Sequence, residues 1–131
     1  MSSFADFLRA ASLHAQPQQL LFVFVGADAL DDARQDKTAE AGSGEALSVL
    51  MYADKTLQEV PSFAVLKDEA DSLGQDWKMV FVSSLSGQDG RAPTSADAAT
   101  ALQRMVETIK SGSVAAFTPF SHNGDPVQFH I

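Results

Sequence analysis

Few residues in this chain are placed to do chemistry. The segment Leu85-Ser86-Gly87-Gln88-Asp89-Gly90-Arg91 lies between an apolar run and a helix start marked by Thr94 and Ser95. In α/β proteins that position holds anions, because backbone N–H groups and the positive end of the helix dipole converge there. Ser86, Gly87, Gly90, Thr94 and Ser95 would line such a site, and Arg91 would add a bidentate contact. The spacing matches neither a phosphate loop nor a dinucleotide fingerprint. Asp89 and Asp97 oppose an anion, and an ordinary turn explains the same residues.

Asp28, Asp31, Asp32 and Asp36 form an acidic run that hard divalent cations could use. Its spacing is not that of an EF-hand loop, and a solvated charged face is the simpler account. The three histidines are His14, His122 and His130, and no two stand three or four residues apart. Ser121, His122 and Asp125 would mimic a nucleophile, base and acid if they converged. On one hairpin tip they would have neither a pocket nor an oxyanion site. With no cysteine, the chain can form no thiolate site, disulfide or iron–sulfur cluster. No metal, cofactor or catalytic residue is expected, and the sequence leans away from an enzyme. Trp77 and Tyr52, the only residues of their types, flank apolar runs and would serve as core edges or interface anchors.

Residues 3–14 read as a helix capped by Ser3, with Asp6 completing a capping box. Leu20 to Val25 is apolar at every position, as in a central strand covered on both faces. Residues 27–45 read as an acidic connector, either a short solvated helix or a mobile loop. A second strand is predicted over 46–52, a single turn at 56–60 and a helix over 62–73, with Phe63, Leu66, Ala70 and Leu73 as its buried stripe. A third strand covers 77–83. A further helix starts at Thr94 or Ser95 and runs to Lys110, with Leu102, Met105, Val106 and Ile109 on one face.

The last 18 residues read as a β-hairpin turning at Asn123-Gly124. That register sets His122 against Asp125, Phe120 against Val127, Thr118 against Phe129 and Ala116 against Ile131. Pro119 and Pro126 then block pairing near the tip, so the hairpin should project beyond the main sheet. The whole predicts one α/β domain over 1–131. Its sheet has about five strands, mostly parallel, with an antiparallel C-terminal hairpin and three to four packed helices.

Composition narrows the function classes. At 131 residues, 45% hydrophobic and 20% charged, the chain is ordinary globular material. A net charge of −8 repels phosphate backbones and anionic lipid, so neither nucleic acid nor membrane is an expected partner. The longest apolar run is far short of a membrane span. Asp6 and Arg9 interrupt the N-terminus, so no secretory leader is expected, and a cytoplasmic setting follows.

Four stretches carry a resemblance: Leu21-Phe22-Val23-Phe24, Pro93 to Ala98, Leu102 to Glu107 and Ala116 to Phe120. Over residues 3–129 the chain resembles a set of short bacterial proteins often labelled "ribonucleotide reductase subunit alpha". The resemblance implies no established activity and brings no functional residue. A ribonucleotide reductase large subunit needs a large barrel and essential cysteines, which 131 residues without cysteine cannot supply. That activity is excluded.

Two functions remain. The first is a non-catalytic interaction module, self-associating as a homodimer through Phe117, Phe120, Phe129 and Ile131 of the C-terminal hairpin. The alternative is a binder of small anionic or phosphoryl compounds at residues 85–95.

Overall fold

In a computed structural model, residues 3–26, 48–114 and 117–127 are described. The acidic connector 27–45, with its four candidate cation ligands, lies outside them. So do Ala116, Phe129, His130 and Ile131.

The described elements are α1 (Phe4–Ser12), β1 (Gln18–Gly26), β2 (Val49–Thr56), a 3-10 turn (Leu57–Glu59), α2 (Phe63–Asp71), β3 (Trp77–Ser86), α3 (Ser95–Lys110) and β4 (Thr118–Ser121). Their starts follow local chemistry. Ser3, Thr56 and Thr94 each form a reciprocal capping box, with Asp6, Glu59 and Asp97 respectively. The Ser62 hydroxyl accepts from the Val65 N–H to start α2. Each cap stabilises its helix by about 1 kcal/mol.

The four strands are ordered β2-β1-β3-β4, and every neighbouring pair is antiparallel. This corrects the expected five-stranded, mostly parallel sheet. The β-α-β reading had part of the geometry: β2 and β3, joined through α2, are both antiparallel to β1 and so run the same way. They are not neighbours, because β1 lies between them. An apolar run reports that both faces of a strand are covered; it carries no information on the direction of its neighbours.

Coverage itself is as expected. Leu20, Phe22 and Phe24 face one cluster, with Phe4 and Ala11 of α1 and Leu66 and Ala70 of α2. Leu21, Val23 and Val25 face the other, with Leu102, Met105 and Ile109 of α3. The sheet is therefore the middle layer between α1 and α2 on one side and α3 on the other. Burying each large side chain here contributes roughly 1.5–3 kcal/mol.

The C-terminal hairpin forms with a different turn and place. The Ser121 carbonyl accepts from the Gly124 N–H (2.9 Å), and the Ser121 N–H donates to the Asp125 carbonyl (2.8 Å). Gly124 has φ 90°, whereas His122 and Asn123 do not have positive φ. His122-Asn123 is thus the centre of a type I turn, and Gly124 occupies the left-handed bulge position after it. Phe120 consequently bridges Pro126 and not Val127. Nor does the hairpin project. β4 pairs along β3, with Phe120 opposite Val80. Phe120 is fully buried and meets the Phe4 ring edge-on at 5.4 Å. It is a core residue and offers no surface to a partner.

Phe120→Ala should therefore destabilise the domain by about 3–5 kcal/mol, as for other deletions of a buried aromatic ring. Urea unfolding checks this, with Phe117→Ala, at a partly buried site, losing less.

Candidate functional site

Three regions gather side chains that could act on something outside the chain. The first is the predicted anion loop. Asp89 and Gly90 have φ 50° and 77°, and the Gln88 and Arg91 backbones bond reciprocally at 3.0 and 2.9 Å. Asp89-Gly90 is thus a tight two-residue turn of type I′. Neighbouring residues brace it: the Gly87 N–H donates to the Pro17 carbonyl (2.8 Å) and the Gly90 N–H to Gln16 Oε1 (2.8 Å).

These bonds determine what the predicted residues can still do. A cleft of about 580 Å³ lies beside the loop, lined by Ser86, Gly87, Arg91 and Thr94 but not by Gly90 or Ser95. Ser95 lines a different groove, between α3 and β2. The backbone N–H groups of Gly87, Gln88, Gly90 and Arg91 are committed within the fold. The Thr94 N–H donates to the Asp97 carboxylate (3.2 Å), and the Thr94 hydroxyl caps α3. The Ser86 hydroxyl accepts from buried Gln18 (2.8 Å), whose carbonyl in turn accepts from Ser84. Of the predicted residues that line this cleft, only Arg91 has a polar side chain with no bond within the fold. Arg104 lines the same cleft from α3, one position that sequence reading did not single out.

The second region is a cluster that no motif announced. Asp71, at the end of α2, receives the Trp77 Nε1–H at 3.0 Å and Lys67 Nζ at 3.1 Å, and its Oδ1 lies 2.9 Å from His122 Nε2. The rings of Trp77 and His122 lie 4.4 Å apart, tilted by 52°. A bulge in β3 makes this possible. Gly26 pairs with Trp77 and Val25 with Met79, so Lys78 is the extra residue. One inserted residue reverses the side-chain alternation. Trp77 thereby joins Val80 and Val82 on the α2 face. The Lys78 carbonyl accepts from the His122 N–H at 2.9 Å. The Ser121 hydroxyl instead accepts from the Asn123 and Asp125 N–H groups, so Ser121, His122 and Asp125 do not assemble as a catalytic set. The cluster fastens the hairpin to α2 and β3 and presents no nucleophile to its histidine.

The third region is the free side of β2. Among the described residues β2 pairs only with β1. Leu73 (65% exposed) and Met51 line an apolar groove of about 80 Å³ between β2 and α2, rimmed by the Lys55–Glu69 ion pair at 2.6 Å, and Tyr52 (59% exposed) stands at its edge. On the other face, β2 and α3 enclose a second groove of about 610 Å³, between Tyr52 and Asp54 on one wall and Leu102, Val106 and Glu107 on the other. Trp77, the other candidate anchor, is buried.

Among the described residues no group of three His, Cys, Asp or Glu side chains could hold a metal ion, and no helix is long and apolar enough to cross a membrane. Comparison with family models, curated proteins and solved structures finds no match to this chain.

The hydrogen bond with His122 is the largest influence on Asp71, and with Lys67 and Trp77 it holds the carboxyl below its ordinary value of 3.8 against the opposing effect of burial. A depressed carboxylate stabilises the fold above its unfolded-state value and loses that contribution as pH falls through its folded-state value. The stability gap between the natural chain and Asp71→Asn should therefore narrow as pH drops below 3.8. Chemical denaturation at a series of pH values measures it; a gap that stays constant into strong acid contradicts the assignment.

Proposed function

We propose that this domain is a non-catalytic protein-interaction module that acts as a homodimer, two copies joined edge to edge along β2. The observation that carries this reading is the coincidence of a strand edge with no partner among the described residues and the exposed Tyr52 and Leu73. An open edge offers a row of backbone donors and acceptors, and strand addition satisfies them. An apolar groove on one face of the edge and a mixed polar and apolar groove on the other give side-chain anchors to the same partner.

The sequence of β2 favours a second copy as that partner. A two-fold axis through Ala53 sets two antiparallel β2 strands in a register that keeps each side chain on its own face. Tyr52 then lies opposite Asp54 of the partner subunit, and Met51 opposite Lys55 of the partner subunit. Tyr52 and Asp54 both sit on the α3 face, since their β1 partners are Val23 and Leu21. One Asp54 oxygen accepts from Gln19 Nε2 (2.8 Å), leaving the other for the phenol. This register keeps the two Asp54 carboxylates from meeting. Each cross-strand pair contributes about 0.2–1 kcal/mol. The resemblance to short bacterial proteins supplies no activity that competes with this reading.

Light scattering at micromolar concentration should give twice the 14.0 kDa chain mass. Tyr52→Asp places two carboxylates opposite each other and should weaken the dimer by at least about tenfold. A protein that stays monomeric, or a dimer indifferent to Tyr52→Asp, overturns the proposal.

A further inference from the structure

We infer that Arg91 and Arg104 are the recognition groups of a separate site, in the cleft beside the Asp89-Gly90 turn, that takes a small dianion carrying carboxylate or phosphoryl oxygens. The inference does not depend on the homodimer, because the cleft and the β2 edge share no lining residue apart from their common scaffold.

The first support is where positive charge is left unpaired. The chain has 17 acidic and 9 basic residues, so a basic side chain has many possible partners. Lys55, Lys67 and Lys78 are each in an ion pair. Arg91 and Arg104 form none, yet both line one cleft of about 580 Å³. Arg9 and Lys110 are also unpaired but lie elsewhere, Lys110 at the far end of α3. That cleft volume falls in the range of small-molecule sites, about 300–1,000 Å³.

The second support is rigidity. The turn is closed by its own reciprocal backbone bonds and tied to Gln16 and Pro17. Gln18, Ser84 and Ser86 lock the strand ends below it. Arg104 stands on a helix of 16 residues whose first turn is capped by Thr94 and Asp97. Each guanidinium is thus carried by a backbone that need not reorganise to receive a ligand.

The chemistry of the ligand follows from which donors remain. Four backbone donors of the loop, those of Gly87, Gln88, Gly90 and Arg91, are already bonded, so a phosphate cradled by main-chain N–H groups is not what this loop is built for. Guanidinium forks remain, and they match the paired oxygens of a carboxylate or phosphoryl group. Two forks suit two oxyanion charges. Asp89 and Asp97 balance the formal charge of the cleft, but Asp97 accepts from the Thr94 N–H and Asp89 belongs to the turn. The local field alone therefore does not choose an anion; two unpaired guanidiniums lining one cleft do. Gln88 and Thr100 on the walls add neutral polar groups to the charged pair.

The test uses the full chain at low ionic strength, titrated separately with succinate and with inorganic phosphate and followed by amide NMR shifts. Saturable shifts confined to residues 85–104 are expected, and whichever of the two anions saturates assigns the oxyanion class. Arg91→Gln and Arg104→Gln should each weaken binding by at least about tenfold. Arg91→Lys should not restore it, since an ammonium lacks the fork. Tyr52→Asp should leave it unchanged, which separates this site from the β2 edge. Absence of saturation with both anions overturns the inference. So does an equal response to chloride at matched ionic strength, which would mean an adventitious ion only, or binding that survives in the double arginine variant.

Discussion

The rest of the structure depends on the burial of β1 on both faces. Leu20 to Val25 expose almost no surface, although successive side chains point to opposite sides of the sheet. A strand of this kind cannot stand at an edge or face water. It must lie between two other strands and beneath two layers of helix. β2 and β3 supply the flanking strands, α1 and α2 one roof, and α3 the other. A polar side chain at any of these six positions would be stranded without a partner, which costs more than the lost apolar contact alone.

A single extra residue then decides what the sheet presents at its far end. Had β3 continued its alternation past Met79, Trp77 would point toward α3. The bulge at Lys78 turns it toward α2, beside Phe24 and within reach of Asp71. The same bulge leaves the Lys78 carbonyl to receive the His122 N–H. The end of α2, the start of β3 and the hairpin, 51 residues further on, are thereby tied at one carboxylate. The arrangement uses titratable groups, but it is a fastening. Each polar atom of Asp71 is engaged by the protein itself, and the imidazole meets no hydroxyl.

The sequence revealed those parts of the fold that are written locally. Ser3 with Asp6, Thr56 with Glu59 and Thr94 with Asp97 mark helix and turn starts because donor and acceptor lie three residues apart. Full apolarity of 20–25 marks a covered strand. Strand order and direction are set by which segments pack together across the chain, and no local pattern records that β1 inserts between β2 and β3. The two turns show a finer limit. Asn123-Gly124 and Asp89-Gly90 have the same residue signature, yet only the second is the centre of a type I′ turn. At the first, pairing of β4 with β3 and the bonds of Ser121 shift the turn by one residue, so Phe120 meets Pro126. For the candidate site, residue types located the cleft at 85–94. They could not tell that the Gly87 and Gly90 donors were already in use, because Gln16 and Pro17 reach them from another part of the chain.

The two edges of the sheet explain why the proposed association is set at β2 and not at the C-terminal hairpin. Aromatic residues in a terminal hairpin suggest a sticky surface only if the hairpin stands free. Here β4 is zipped onto β3, and Phe120 is drawn under α1. On its outer side the chain folds back, with the Val127 N–H bonded to the Pro119 carbonyl and Pro126 bridging Phe120. Pro119 and Pro126 have no donor to offer another strand, a common means of blunting an edge. β2 carries neither device. It contains no proline, its outer side has no strand among the described residues, and its exposed Tyr52 stands between two grooves. The only charges on it, Asp54 and Lys55, are of opposite sign and already bonded to Gln19 and Glu69. An edge with neither device among the described residues, in a fold that blunts the opposite one, is what the proposed association requires.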